Sequence, residues 1–275
     1  MYYDLKTKKT IETKELKSLN FLYNNVIGRI ILKVATTHLV ASIYASYMNS
    51  KLSKHKIKKF IKNNNINMEE YEKEEYKSFN DFFKRKIKDK KRIINDGLIS
   101  VCDSKLSVYK INKDSSFKIK NSIYTIEELI GEKNTNFEYA LIFRLCVDDY
   151  HHYVFPDDGK VISQKYIKGK LHTVQPIAFK KHKVFNENSR CITYLDCKNL
   201  GKVCYIEVGA MLIGKIVNEE KTKFKKGEEK GHFEFGGSTI VLLVEKNKID
   251  INQTILDNTN KEIETIVKLG DYIGR

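Results

Sequence analysis

Between Phe21 and Met48 the apolar residues recur at intervals of three and four: Ile27, Ile30, Ile31, Val34, Ala41, Ala45 and Met48 fall on one side of a helical projection. That spacing predicts an amphipathic helix or a pair of them. Arg29, Lys33 and His38 interrupt the run, and a span needs about 20 mostly apolar residues, so the segment is read as lying on a membrane rather than crossing it. From about residue 97 the texture changes to short β-branched and aromatic runs broken by Gly, Asn, Asp and Lys. Leu98–Cys102, Leu106–Ile111, Ala140–Val147, Val203–Val208, Met211–Val217 and Thr239–Val244 predict strands, and Lys221–Lys230 a polar loop. One helix stands out among them near Thr125–Ile130, where Thr125 and Glu128 have capping-box spacing. The expected fold is α+β, with a basic helical region over 1–95 and a β-rich, sandwich- or barrel-like domain over 96–275.

Charge sharpens the division. The first 100 of 275 residues hold 22 Lys and Arg against 11 Asp and Glu, most of the formal net charge of +15. The basic run Lys84–Arg92 follows the aromatic cluster Phe79, Phe82 and Phe83. Bases beside aromatic anchors suit an anionic lipid surface, at about 1 kcal/mol per basic residue near it; a solvated basic face and a nucleic-acid surface are the alternatives. The five cysteines are odd in number, none in C-x-x-C spacing, and sit in apolar runs, which reads as buried reduced thiols. No signal peptide is visible at Met1–Asp4, and the chain is expected to stay inside the cell.

Three clusters offer chemistry. Gly236-Gly237-Ser238 stands immediately before an apolar strand, where glycines admit backbone conformations closed to other residues and bring the Ser238 hydroxyl against the Gly237 carbonyl. A bulge or tight turn would use the same letters. Asp148-Asp149-Tyr150-His151-His152 combines acids with imidazoles able to take and return a proton near neutral pH. Neighbouring strand positions would turn the two rings to opposite faces, leaving at most one for a given site. Asp103, between two apolar runs, is otherwise a turn residue.

Taken in order, Ser78–Lys86, Cys102–Leu106, Asp149–His151, Lys170–Ile177, Val208–Met211 and Phe235–Thr239 resemble phosphatidylserine decarboxylases, pyruvoyl-dependent lipid enzymes, over most of the chain. The resemblance implies a proenzyme that cuts itself between Gly237 and Ser238 into a β chain (1–237) and an α chain (238–275) that stay associated. Ser238 Oγ attacks the Gly237 carbonyl to give an ester, and elimination and hydrolysis leave a pyruvoyl group and ammonia. It further implies a relay of Asp103, His151 and Ser238, with Asp103 fixing the imidazole tautomer and His151 acting as base. Many members carry a second His three residues after the first; Val154 stands there, and His152 is the nearby auxiliary imidazole. Many also have Gly after the relay Asp, where this chain has Ser104. Phosphatidylserine in an anionic membrane is the implied substrate, held as a Schiff base on the pyruvoyl carbonyl while carbon dioxide leaves. No metal, external cofactor or nucleic acid is implied, and the expected location is peripheral, on the cytoplasmic face of the cell membrane. A pyruvoyl decarboxylase of a soluble amino acid and a basic nucleic-acid-binding module are the alternatives, and a homo-oligomer is left open.

Overall fold

A computed structural model describes residues 1–12, 17–119, 122–133, 136–211, 215–235 and 238–275. Five helices fall in the first third: α1 (Lys17–Asn24), α2 (Val26–Ala35), α3 (His38–Asn49), α4 (His55–Asn63) and α5 (Phe79–Phe83). Local chemistry sets their ends. The Asn25 side chain accepts from the Ile27 and Gly28 amides and the Thr37 hydroxyl from the Val40 amide, capping α2 and α3. Gly28 is where α2 touches the end of α1: an added Cβ would lie 2.1 Å from the Phe21 carbonyl oxygen.

The expected helical stretch 1–95 departs at its start, because β1 (Tyr2–Asp4) and β2 (Lys9–Ile11) are strands. Both extend the large sheet, β1 lying parallel to β16 (Glu264–Val267) near the other end of the chain. The remaining strands are β3 (Leu98–Ile99), β4 (Ser104–Lys110), β5 (Ser116–Ile119), β6 (Ser122–Thr125), β7 (Phe137–Leu145), β8 (His152–Val154), β9 (Gly159–Ile167), β10 (Arg190–Cys197), β11 (Gly201–Val208), β12 (Ile216–Asn218), β13 (Lys223–Phe224), β14 (Glu229–Phe233), β15 (Ser238–Glu245) and β17 (Tyr272–Gly274). α6 (Ile126–Ile130) starts at the Thr125 cap, whose hydroxyl accepts from the Glu128 amide; α7 (Val184–Glu187) and α8 (Gln253–Asn260) complete the mixed α+β fold.

Ten strands form one sheet in the order β13-β9-β10-β11-β15-β7-β4-β16-β1-β2, with a smaller sheet β12-β14-β8 beside it. The order ends at β13 and β2, so among the described residues the large sheet is open, not a closed barrel. Its middle strands are buried on both faces. Ile240, Leu242 and Val244 join Leu141, Phe143 and Leu145 in one apolar cluster, while Val241 and Leu243 join Ile142 and Ile206 in another, as the two-residue period of a strand requires. This is why these strands read as continuous apolar runs.

The third cluster lies under the helices. Phe79, Phe82 and Phe83 are buried with Met48 and Ile57 inside the protein, not presented to a lipid surface. Part of the basic run is internal as well: Arg85 is buried, its guanidinium 4.6 Å from the Tyr71 ring centroid. Conversely Ile27, Ile30, Ile31 and Val34 of α2 face outward and are exposed, with Ala41 and Met48 of α3 turned inward. Among the described residues no single helix is long and apolar enough to cross a membrane, and α2 and α3, which pass that test only together, are bent by 71°. All five cysteines are free thiols, four of them buried. Leu242→Ala, deleting a fully buried side chain of the central strand, is expected to lower stability by about 3 kcal/mol, measurable as a lower urea midpoint.

Candidate active site

Ser238 is the first residue of β15 and pairs with Leu145 across the β7 ladder. Register places its side chain on the face of Ile240 and Leu242, where it is fully buried and its Oγ has no hydrogen-bond partner among the described residues. An unpaired buried hydroxyl costs about 1–3 kcal/mol, and Ser238 shares this state with Ser104, Thr193 and Thr239 among the described residues. Gly236 and Gly237 lie outside the described residues. The chain reaching them is fixed at Phe235, whose amide donates to Asn80 Oδ1 at 3.0 Å and whose ring packs edge-on against Phe79 and Phe83 at 5.0 and 5.1 Å. Asn80 Nδ2 donates in turn to Asn49 Oδ1 of α3. Helix α5, capped by the Ser78 hydroxyl on the Asp81 amide, is therefore the support on which the Gly-Gly-Ser approach rests.

His151 sits at the same corner. Its ring lies 4.2 Å from that of Phe83, its carbonyl accepts from the Phe233 amide, and it is fully buried. Nδ1 is 2.9 Å from the Asp149 carbonyl oxygen. A carbonyl can only accept, so Nδ1 carries the hydrogen and Nε2 the lone pair. Nε2 has no partner. Burial, opposed by the Asp149 carbonyl and carboxylate, lowers the imidazole to about 4, so at neutral pH the ring is an uncharged base. His151 is thus linked to the approach of Ser238 through the rings of Phe83 and Phe235, and Ser238 Oγ and His151 Nε2 are both buried without a hydrogen-bond partner among the described residues.

The structure places Asp103 differently from a carboxylate on the His151 ring. It is buried beside the ring's neighbourhood but accepts from Arg92 Nη2 and Lys268 Nζ, each at 3.0 Å, and from the Leu269 amide at 2.8 Å. The group that orients His151 is the Asp149 main chain. The Asp149 carboxylate binds Lys105 Nζ at 2.7 Å and the Cys146 amide at 2.8 Å, closing the turn out of β7. Burial alone would raise this carboxyl, but Lys105 and Lys268 hold it below the usual range. Lys268 therefore faces both carboxylates.

His152 points the other way, as expected for a neighbour. Its ring stacks between Tyr150 and His232 at 4.8 and 4.9 Å, with Nδ1 2.7 Å from Glu229 Oε1 and Nε2 3.2 Å from the Lys84 carbonyl. Both nitrogens are engaged. A further buried acid on the Ser238 face, Glu207 of β11, is ion-paired with Lys230, whose ammonium lies over the rings of Tyr153 and Tyr205; burial raises the Glu207 carboxyl and Lys230 opposes the rise. Asp149 adjoins the His151 motif and was open to a sequence reading. Lys105, Lys268, Arg92 and Glu207 carry no local signal.

Residues 79–275 match the phosphatidylserine decarboxylase family. The chain is 50% identical over 264 residues to phosphatidylserine decarboxylase proenzyme 2 of Clostridium acetobutylicum, covering 93% of this chain and 91% of that protein. It is 39% identical over 290 residues to the proenzyme of Clostridium tetani, covering 100% and 97%, and 37% identical over 285 residues to that of Fusobacterium nucleatum, covering 98% and 94%.

Asp103→Asn leaves Arg92 and Lys268 facing a neutral amide in a buried setting. It is expected to lower stability by about 3 kcal/mol, read from urea unfolding, whereas Asn at the exposed Asp89 should change it by less than about 0.5 kcal/mol.

Proposed function

The chain belongs to the phosphatidylserine decarboxylase family, and from that premise we propose that it converts phosphatidylserine to phosphatidylethanolamine and carbon dioxide at a pyruvoyl group made from Ser238. The observation that supports the reading is that His151, buried with an unpartnered Nε2, lies on Phe83, which packs on Phe235 in the approach to the buried Ser238. His151 Nε2 takes the Ser238 proton, and Oγ attacks the carbonyl of Gly237. The Asp149 carbonyl keeps the other ring proton on Nδ1 throughout, the orienting part that a carboxylate plays in serine hydrolases. Asp103 is a positioning residue, acting through Lys268 on the Asp149 side of the ring.

The pyruvoyl carbonyl, once formed, supplies the electron sink for decarboxylation. The protein's own contribution is a dry corner walled by Phe83 and Phe235, which favours loss of charge as carbon dioxide departs.

The lipid reading rests on α2 and α3. Val26, Ile27, Ile30, Ile31 and Val34, with Leu39 and Ile43, form an apolar surface without protein cover, and Arg29, Lys33, Lys51 and Lys54 lie exposed among and beside them. Such a surface suits shallow insertion beneath anionic headgroups on the cytoplasmic face of the cell membrane. A decarboxylase of a soluble amino acid has no use for it.

Ser238→Ala should yield one full-length inactive chain on denaturing mass spectrometry, where the wild type shows two chains divided after Gly237; a cut Ser238→Ala chain rejects the assignment. His151→Ala should slow the cut by about 10²–10⁴-fold. Because the ring titrates at about 4, the wild-type rate should rise with pH through that value and be level from about 6 upward. Raising salt from about 0.1 M to about 1 M shortens the Debye length from about 10 Å to about 3 Å. That change should release protein from phosphatidylserine vesicles in part, while Ile27→Asp with Ile31→Asp should abolish binding even at low salt.

A further inference from the structure

The corner between α2 and α3 is built against the segment that follows β9. The Leu171 amide donates to the Thr36 carbonyl at 3.2 Å, and His38 Nε2, on the first residue of α3, donates to the Gly169 carbonyl at 2.9 Å. Gly169 lets that segment run close to α7, since an added Cβ would lie 2.3 Å from the Glu187 carbonyl oxygen. Between these walls lies a cavity of about 620 Å³, within the range of small-molecule sites, about 300–1,000 Å³. Among the described residues its lining carries Arg29, Lys33, His38, Lys170, His172 and His182 and no carboxylate.

Positive charge dominates this cavity. Arg29 and Lys33 stand one turn apart on one side of α2, both exposed, and neither has an acidic partner among the described residues. The acid that reaches the rim is Glu187, whose Oε2 lies 3.7 Å from Lys170 Nζ, 3.5 Å from His172 Nε2 and 3.4 Å from His182 Nδ1. Arg29, Lys33 and Lys170 thus meet a single carboxylate. The rings of His172 and His182 stack at 4.0 Å, and burial, aided by His182, lowers the His172 imidazole to about 4, so that ring is neutral at pH 7. Tyr23 Oη accepts from the Thr173 amide and has its own hydrogen to give to His172 Nδ1, 3.4 Å away. That assignment puts the ring hydrogen on Nε2, which has no hydrogen-bond partner although His172 is only 4% exposed.

We propose that this cavity binds a phosphate group, free or in the headgroup of a phospholipid, separately from the Ser238 chemistry. The Arg29 guanidinium offers paired donors that match two phosphate oxygens, Lys33 and Lys170 add compact charge, and His172 Nε2 adds a directed donor. The place of the cavity on α2 favours the lipid source. Arg29 and Lys33 lie along the helix between its buried row, Gly28 and Leu32, and its exposed apolar row, Ile30 and Val34. An α2 lying at a membrane by its apolar row therefore holds both bases at the level of the headgroups. The choice of lipid as the source rests on the docking of α2 and α3 at a membrane; the affinity of the cavity for phosphate does not.

The test uses the full-length chain in two arms: calorimetric titration with sodium phosphate, with sodium chloride holding the ionic strength constant, and sedimentation with phosphatidylglycerol vesicles. Phosphatidylglycerol carries no serine, so its binding reports this surface and not the Ser238 corner. Arg29→Gln with Lys33→Gln, at exposed positions that should leave the fold intact by circular dichroism, should weaken both phosphate and vesicle binding by more than about tenfold. Lys198→Gln with Lys202→Gln, equal in charge but at the far end of β10, should change either by less than about twofold. Loss of phosphate binding alone in the α2 variant supports the cavity with free phosphate as its ligand. Ile27→Ser with Ile31→Ser should keep phosphate binding while vesicle binding falls, which separates a failure of membrane docking from a failure of the cavity. No phosphate binding by the wild type, or binding that the α2 variant leaves unchanged or that both double lysine and arginine variants lower equally, overturns the proposal.

Discussion

The register of β15 is the constraint on which the site depends. The strand is hydrogen-bonded to β11 on one side and β7 on the other, and its alternate residues fill two different apolar clusters. A slip of one residue would exchange Ile240 and Leu242 for Val241 and Leu243 on both faces at once, and would carry Ser238 to the wrong side of the sheet. The cost of misplacing five buried apolar side chains thus secures the position of one small hydroxyl. The same ladder delivers the end of β7, from which the Cys146–Asp149 turn leads directly to His151.

Charge is placed around this corner so that the imidazole stays neutral while the acids near it stay ionised. Asp149 and Asp103 are buried but surrounded by Lys105, Lys268, Arg92 and main-chain amides, whereas His151 receives a carbonyl and an aromatic ring. A buried carboxylate without such cations would protonate, and a charged His151 would lie in an apolar setting with no carboxylate on its ring. The acid and the base are separated by environment, not by residue type.

The central strands and the candidate residues Ser238 and His151 were legible because their signals are local. Ile240–Val244 is a continuous apolar run, and the Gly-Gly-Ser before it and the His pair are short-range patterns. The edge strands β1 and β2 were not, since three residues each, exposed or half-exposed, carry no periodicity. Helix α8 was missed for a similar reason: Gln253–Asn260 is short, polar and rich in Asn and Thr. Asp103 is buried, as its place between two apolar runs allows, but its side-chain partners are two of 50 Lys and Arg and look like any others. Phe79, Phe82 and Phe83 beside basic residues suggested a lipid anchor; their partner Phe235 is distant in sequence, and only the fold shows that they grip the approach to Ser238.

The ion cluster also spans the length of the chain. Asp103 is satisfied by Lys268 and the Leu269 amide, about 165 residues further along the chain, and β16 just before them joins β1 to the sheet. A chain without these residues would have an uncompensated carboxylate beside Asp149 and an unclosed sheet edge at β4. Residues far apart in the chain are thereby made interdependent: loosening the segment 264–269 exposes a strand edge at β4 and uncovers a buried carboxylate in the same stroke.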